Sequence, residues 1–205
     1  MMRKAGTGEP IFANETGHNS VMRPTVILIN GISATGKTTI GRALANTLQL
    51  PFFAKDSIKE ILFDQLGTSD RAWSHRLSGV THAVLNPILE EELRAGRGFV
   101  LECNFNPQYD VDKFRRWQAS YDFRIVQVLC HTQGEVVFQR FKARAESGTR
   151  HPGHVDDQNI EAFRDYLMGG RCDPLAVEGT VIEVDTTDFA SVNIQDLADM
   201  ILKIE

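Results

Sequence analysis

The chain has 205 residues, 42% apolar and 24% charged, which is enough to build one domain around a real core without disulfide or metal staples. Its 22 Lys plus Arg against 27 Asp plus Glu give a net charge of −5, without the dominant positive field that non-specific nucleic-acid or anionic-membrane binding requires. The three cysteines, Cys103, Cys130 and Cys172, form no CxxC cassette, so neither a disulfide framework nor a structural zinc site is expected.

Residues 1–23 carry Gly6, Gly8, Pro10, Gly17 and almost no apolar periodicity, and are expected to be a flexible extension ahead of a domain over 24–205. The basic start, Met1-Met2-Arg3-Lys4, is not followed by an apolar leader, and no run approaches the ~20 apolar residues of a spanning helix. The expectation is a soluble, reduced, cytoplasmic protein.

Thr25–Asn30 is short, β-branched and continuously apolar, as a strand buried on both faces should be. A helix follows from Lys37 to Leu48, with Ile40, Leu44 and Leu48 every four residues. Pro51–Ala54 reads as a second strand, and Asp56 as the cap of a helix over Ser57–Leu66. A long helical pattern covers about Asp70 to Arg94, with a kink or break at Asn86-Pro87. Phe99–Cys103 is a third strand, and Phe114 with Trp117 marks a short helix. Phe123–Leu129 is a fourth strand, and Thr132-Gln133-Gly134-Glu135 has capping-box spacing for a helix to about Ala145. Thr180–Val184 is a fifth strand and Ile194–Ile204 a final amphipathic helix. Such alternation implies an α/β three-layer fold, a parallel sheet with helices on both faces. The polar, Gly- and Pro-rich stretch from about Gly148 to Pro174 should lie outside the sheet, in a lid of about 140–174.

The chemistry concentrates in Gly31-Ile32-Ser33-Ala34-Thr35-Gly36-Lys37-Thr38, which satisfies the full Walker A pattern and is followed by Thr39. Gly31 and Gly36 let the backbone turn tightly enough to aim N–H groups at a phosphate, and the helix starting near Lys37 adds its positive end. Lys37 would reach the β- and γ-phosphates, and the Thr38 hydroxyl would ligate Mg²⁺. The motif sits between a buried strand and a helix, the context such a site needs.

Four further groups are candidates. Asp56 follows the second strand, where ligands of a parallel sheet collect, so it either orients an acceptor hydroxyl or only caps a helix. Glu102 ends the third strand and is placed to hold Mg²⁺, to contact substrate, or to be merely structural; Asn104 offers an amide nearby. Arg140 and Arg144 share a helix face, and Arg150 follows in the flap. The three either close over a triphosphate or form a solvated basic face pairing with Glu146, Asp156 or Asp157. His151 and His154 flank Pro152-Gly153 and suit ordering of the flap, or a phosphate contact, better than a metal.

The run Ile27–Thr38 followed by Asp56-Ser57-Ile58-Lys59-Glu60 resembles the small P-loop kinases of the chloramphenicol phosphotransferase-like and zeta-toxin-like group. The Arg140–Arg144 and Arg150–His154 segments resemble the Arg-rich lids of that group. The resemblance spans roughly residues 25–190. It implies the P-loop sheet order 2-3-1-4-5, an Asp acting on the acceptor hydroxyl at Asp56, and an adenine contact near Asp185-Thr186-Thr187. No Asp-Gly-Phe-Pro-Arg segment follows the third strand, which turns the expectation away from a nucleotide acceptor.

The expected activity is therefore an ATP- and Mg²⁺-dependent transfer of the γ-phosphoryl group to a hydroxyl of a small molecule. Catalysis is assigned to Lys37, Asp56, Arg144 and Arg150. Nucleotide binding is assigned to Gly31, Ser33, Ala34, Thr35, Gly36, Lys37, Thr38, Thr39 and Arg140, and metal binding to Thr38 and Glu102. No nucleic-acid or membrane partner is expected. The alternative is a nucleotide-binding regulatory or toxin-like module acting through a protein partner.

Overall fold

A computed structural model describes residues 23–157 and 160–204; the expected flexible extension falls, but for Arg23, outside these residues. Its elements in chain order are β1 (Thr25–Asn30), α1 (Lys37–Leu48), β2 (Phe52–Ala54), α2 (Lys55–Leu66), α3 (Arg71–Arg94), β3 (Phe99–Glu102) and α4 (Pro107–Ser120). These are followed by β4 (Arg124–His131), α5 (Gly134–Glu146), α6 (Arg164–Met168), β5 (Thr180–Asp185) and α7 (Ile194–Leu202). The five strands form one parallel sheet in the order β2-β3-β1-β4-β5, as expected.

Side chains alternate across a strand, so β1 feeds two cores. Ile27 and Ile29 pack with Val100, Val126 and Val128 against Ile40 and Leu44 of α1 and Leu197 and Ile201 of α7. Val26 and Leu28 point the other way, with Phe99, Leu101 and Ile125, against Leu85, Leu89 and Leu93 of α3 and Phe114 and Trp117 of α4. With helices on both faces, the central strands are apolar throughout, and Val26 to Ile29 are fully buried.

Register places the chemistry. Ala54, the last residue of β2, pairs with Glu102, the last of β3, and Ile29 pairs with the same Glu102. The ends of β1, β2 and β3 therefore lie side by side, and whatever follows them shares one crevice.

Three local expectations are corrected. The helix after β2 begins at Lys55, capped by Ala54 with no side-chain bond, so Asp56 lies inside its first turn and is not its cap. The Thr132–Glu135 capping box does not form. Thr132 Oγ1 instead lies 2.7 Å from Thr186 Oγ1, and α5 starts at Gly134 after an uncapped Gln133. Finally, of the kink or break expected at Asn86-Pro87 the break does not occur: α3 runs on through Pro87, with Leu85 and Leu89 packed in the core on either side.

Between α5 and β5, the described residues of 147–179 add no strand to the sheet. Gln127, buried in β4, accepts from Leu175 N at 2.8 Å and donates to its carbonyl at 2.9 Å, tying the return of this segment to the sheet.

Candidate active site

The phosphate loop is built mainly from its own backbone. Asn30 Oδ1 accepts from Gly31 N at 2.8 Å, and Thr35 Oγ1 donates to Ile32 O at 2.9 Å. Thr132 donates to Thr186, whose hydroxyl donates to Thr35 O at 2.7 Å, so the ends of β4 and β5 hold the loop from behind. Gly31 (φ 151) and Gly36 (φ 83) take backbone conformations that side chains resist, as the motif requires. Ala34 (φ 65) does the same without being glycine. At Gly36 the second constraint is Phe189: a Cβ there would lie 2.0 Å from the ring.

Lys37, the first residue of α1, turns its ammonium inward onto Ile32 O at 2.9 Å. Burial pulls its pKa below the usual lysine range, against the opposing pull of Glu102. Thr38 Oγ1 donates to Glu102 Oε2 at 3.2 Å. Burial pushes the Glu102 carboxyl upward, with the Lys37 charge acting against it. A hydroxyl and a carboxylate brought together beside a phosphate loop are hard oxygen donors, and the pair fits Mg²⁺. Among the described residues no cluster of three or more His, Cys, Asp or Glu could hold a metal on its own. An ion completed by phosphate oxygens and water needs no such cage.

Opposite the loop stands a set of ion pairs. Arg150 Nη2 donates to Asp56 Oδ2 at 2.7 Å, Nη1 to Glu60 Oε1 at 3.3 Å and Nε to Asp156 Oδ2 at 3.3 Å. Asp156 also accepts from Arg144 Nη2 at 3.2 Å. Burial acts to raise the Asp56 pKa, but the Lys55 and Arg150 charges outweigh it and hold the group well below the usual carboxylate range. Asp56 is therefore an ionised acceptor, free of any capping duty. Arg144 Nε is buried with no partner among the described residues.

The 151–154 segment docks on the same helix. His151 stacks on Phe63 of α2, with ring centres 5.1 Å apart, and reaches Asp64 at 3.1 Å. His154 meets Phe63 edge-on and lies 2.9 Å from Glu60 Oε1. Both histidines thus order the flap against α2.

One cavity of about 400 Å³ gathers Lys37, Thr38, Asp56, Glu102, Arg140, Arg144 and Arg150, together with Ser33, Ala34, Gly36 and Thr39. Gly31 and Thr35 stand behind it and shape the turn. Arg140 is at the edge: it donates to Thr186 O and Thr187 O, each at 2.8 Å, and lies 4.5 Å over the Phe189 ring. Glu60 and Phe189 also line this cavity, and the sequence reading had assigned neither to the site. Glu60 is four residues after Asp56, a spacing that puts both on one helix face. Nothing in the sequence near Phe189 signals its fold onto Gly36.

A phosphate loop at the end of β1, with carboxylates beside it at the ends of β2 and β3 in this strand order, defines a P-loop nucleotide-binding fold. A profile of the AAA domain family matches residues 26–168, and the chain belongs to that family. A solved structure from Chloroflexus aurantiacus J-10-fl, described as a "putative kinase", is 31% identical, with a TM-score of 0.79 over 89% of this chain and 98% of that one. Fainter likenesses include a shikimate kinase from Acinetobacter baumannii (20% identical, TM-score 0.47, 89% and 92% covered). Another is a gluconokinase from Sinorhizobium meliloti 1021 (15%, TM-score 0.47, 86% and 88% covered). No curated protein matches the chain.

Proposed function

We propose that the protein is an ATP- and Mg²⁺-dependent phosphotransferase that moves the γ-phosphoryl group to a hydroxyl of a small molecule. The observation that carries this reading is the meeting of Asp56 and Arg150 at 2.7 Å across the cavity from Lys37. An acceptor-side carboxylate and a phosphate-seeking guanidinium share one space with the loop. The kinase description of the Chloroflexus relative, 31% identical over nearly its whole length, supports the same reading.

The loop amides and Lys37 hold the β- and γ-phosphates, and Arg144 and Arg150 neutralise charge on the transferring group. The buried Arg144 Nε gains a phosphate oxygen as the partner it lacks; an unmet buried donor costs about 1–3 kcal/mol. Thr38 and Glu102 are the residues that would hold Mg²⁺, whose charge when bound stabilises the phosphate oxygens. Asp56 accepts a hydrogen bond from the acceptor hydroxyl and aims its oxygen at the γ-phosphorus. The new P–O bond forms as the bond to the β–γ bridging oxygen breaks, ADP leaves, and the hydroxyl proton passes to Asp56 and then to water. Because its pKa is held low, Asp56 orients the hydroxyl in the ground state and takes the proton only late. Moving Arg150 from Asp56 to the phosphates raises the basicity of Asp56 as the donor arrives. Arg140 and Phe189, beside the Asp185–Thr187 loop, frame the adenine end.

A screen of antibiotics, sugars, nucleosides and amino-alcohols, read by ADP release, tests the proposal. An acceptor should raise turnover well above the rate with ATP alone. Slow acceptor-independent hydrolysis together with a stable protein complex would favour a regulatory module instead.

A further inference from the structure

Beside the phosphate-loop cavity lies a second one of about 560 Å³, between α3 and the β3–α4 segment. Asn104 lines both, and Lys55 of the second neighbours Asp56 of the first in sequence, so the two spaces adjoin there. The volume suits a small metabolite.

Its walls are unusual in composition. From α3, His75, Ser78, His82 and Asn86 face it at helical spacing, and from α4, Tyr109, Lys113 and Arg116 do the same. Gly79 is the single lining residue without a polar side chain. Two helices that share one apolar core deeper down, through Leu85, Leu89, Phe114 and Trp117, thus present polar stripes to each other near the strand ends. His82, Asn104, Tyr109 and Arg116 make no side-chain hydrogen bond among the described residues. Asn104, Tyr109 and Arg116 are exposed and His82 is half-buried, so their polar groups face the open cavity, where they suit a ligand rich in hydroxyls.

The charge is also unbalanced. Lys55, Lys113 and Arg116 line the cavity against one carboxylate, Asp110. That carboxylate is taken by Lys113 at 2.5 Å, a pair with both side chains under a tenth exposed. Asp110 further accepts from Asn106 N at 2.7 Å, and Lys113 reaches Asn86 Oδ1 at 3.5 Å. Lys55 lies 3.5 Å from Asp56, which Arg150 holds more closely from the other cavity. The Arg116 guanidinium has no carboxylate within ion-pair distance among the described residues. A guanidinium is a planar fork matched to carboxylate or phosphate oxygens.

We infer that the phosphoryl acceptor is a small polyhydroxylated anion. Its carboxylate or phosphate is bound by Arg116 in this second cavity, and one of its hydroxyls is presented past Asn104 to Asp56. This rests on the phosphotransferase reading and names the substrate class for it. Lys55, between the two cavities, is placed to guide the anion inward, and His82, which burial keeps below its usual pKa, is a neutral hydrogen-bonding group for the hydroxyls.

The test is direct binding to the full-length protein, measured with matched triplets of small sugar-like probes: the neutral polyol, its hydroxycarboxylate and its monophosphate. Either anion should bind at least about tenfold more tightly than its neutral partner, the worth of one charge-assisted hydrogen-bond set. Which anion binds better distinguishes a carboxylate from a phosphate acceptor. Arg116→Gln, on an exposed helix position, should erase that preference while leaving ATP affinity unchanged. Equal binding of the polyol would overturn the inference, as would an anion preference that survives Arg116→Gln. Failure of every anion at millimolar concentration, while ATP binds, would overturn it equally. Failure to bind ATP would instead sink the phosphotransferase reading beneath it, so the two failures are separable.

Discussion

The two walls of the phosphate-loop cavity are made in different ways. On one side the phosphate loop is held mainly by short-range contacts, residues 30–38 bonding among themselves, with a threonine relay behind and Thr38 reaching Glu102. Residues 30–38 make no ion pair among the described residues, and the Glu102 charge reaches Lys37 only through its field. On the other side, residues 144–156 are held to α2 by charge and by ring stacking across some ninety positions of sequence, with Arg150 gripping three carboxylates. Backbone geometry makes a rigid cradle, whereas ion pairs make a contact that can be exchanged for phosphate. The contrast suits the proposed phosphotransferase, whose donor site would be preformed and whose lid would let go.

If that division is right, damage to the cradle should abolish binding, and damage to the lid should slow turnover. Lys37→Ala should show the largest effect, a loss of about a hundredfold or more in ATP affinity and no measurable transfer; unchanged affinity would remove the loop from the account. Asp56→Asn should cut kcat by about 10²–10⁴-fold, the range for a positioned acid–base group. Its ATP affinity should hold or improve, because Arg150 is released; a weaker ATP complex would place Asp56 on the donor side. Arg150→Lys keeps the charge but cannot reach three carboxylates at once, so kcat should fall by about tenfold or more, visible in steady-state kinetics. Full activity in that variant would make Arg150 a mere surface charge.

The smallest expected effect is a pH effect on the lid. Burial, reinforced by the neighbouring Arg150 and Lys59 charges, pushes the His154 pKa from 6.5 down to about 3, with Asp56 pulling the other way. Between these values the unfolded lid binds a proton that the docked lid does not, so docking weakens as pH falls below about 6.5. The protection of the 150–155 amides, taken relative to their intrinsic exchange rate at each pH, should fall toward pH 5 in the native chain and stay flat in His154→Gln. A fall of the same size in both would assign the effect elsewhere.

Much of the cradle was legible in the sequence because its chemistry is local. Glycine spacing, an apolar strand before it and a helix after it all fall within residues 25–48, alternation pointed to a parallel sheet of five strands, and the family resemblance supplied their order. The lid was legible only as a set of candidate residues. That Arg150 pairs with Asp56, or that Phe63 is the platform for His151 and His154, depends on a fold that brings α2 under the flap. The same non-locality explains the misread caps. Thr132 has capping-box spacing, but a better partner for its hydroxyl, Thr186, arrives from β5 fifty-four residues away. Asp56 looked like a cap because local rules cannot see the guanidinium that claims it. Phe189 and Glu60 were missed for related reasons: one acts through packing on Gly36, the other through a lid residue ninety positions away.

The most direct check is a calorimetric titration of the purified chain with ATP in the presence of Mg²⁺. Saturable binding of one nucleotide per chain, much weakened when Mg²⁺ is withheld and lost in Lys37→Ala, is the predicted result. A flat titration with the folded native protein, or equal heat from the Lys37→Ala chain, would contradict the account at its root.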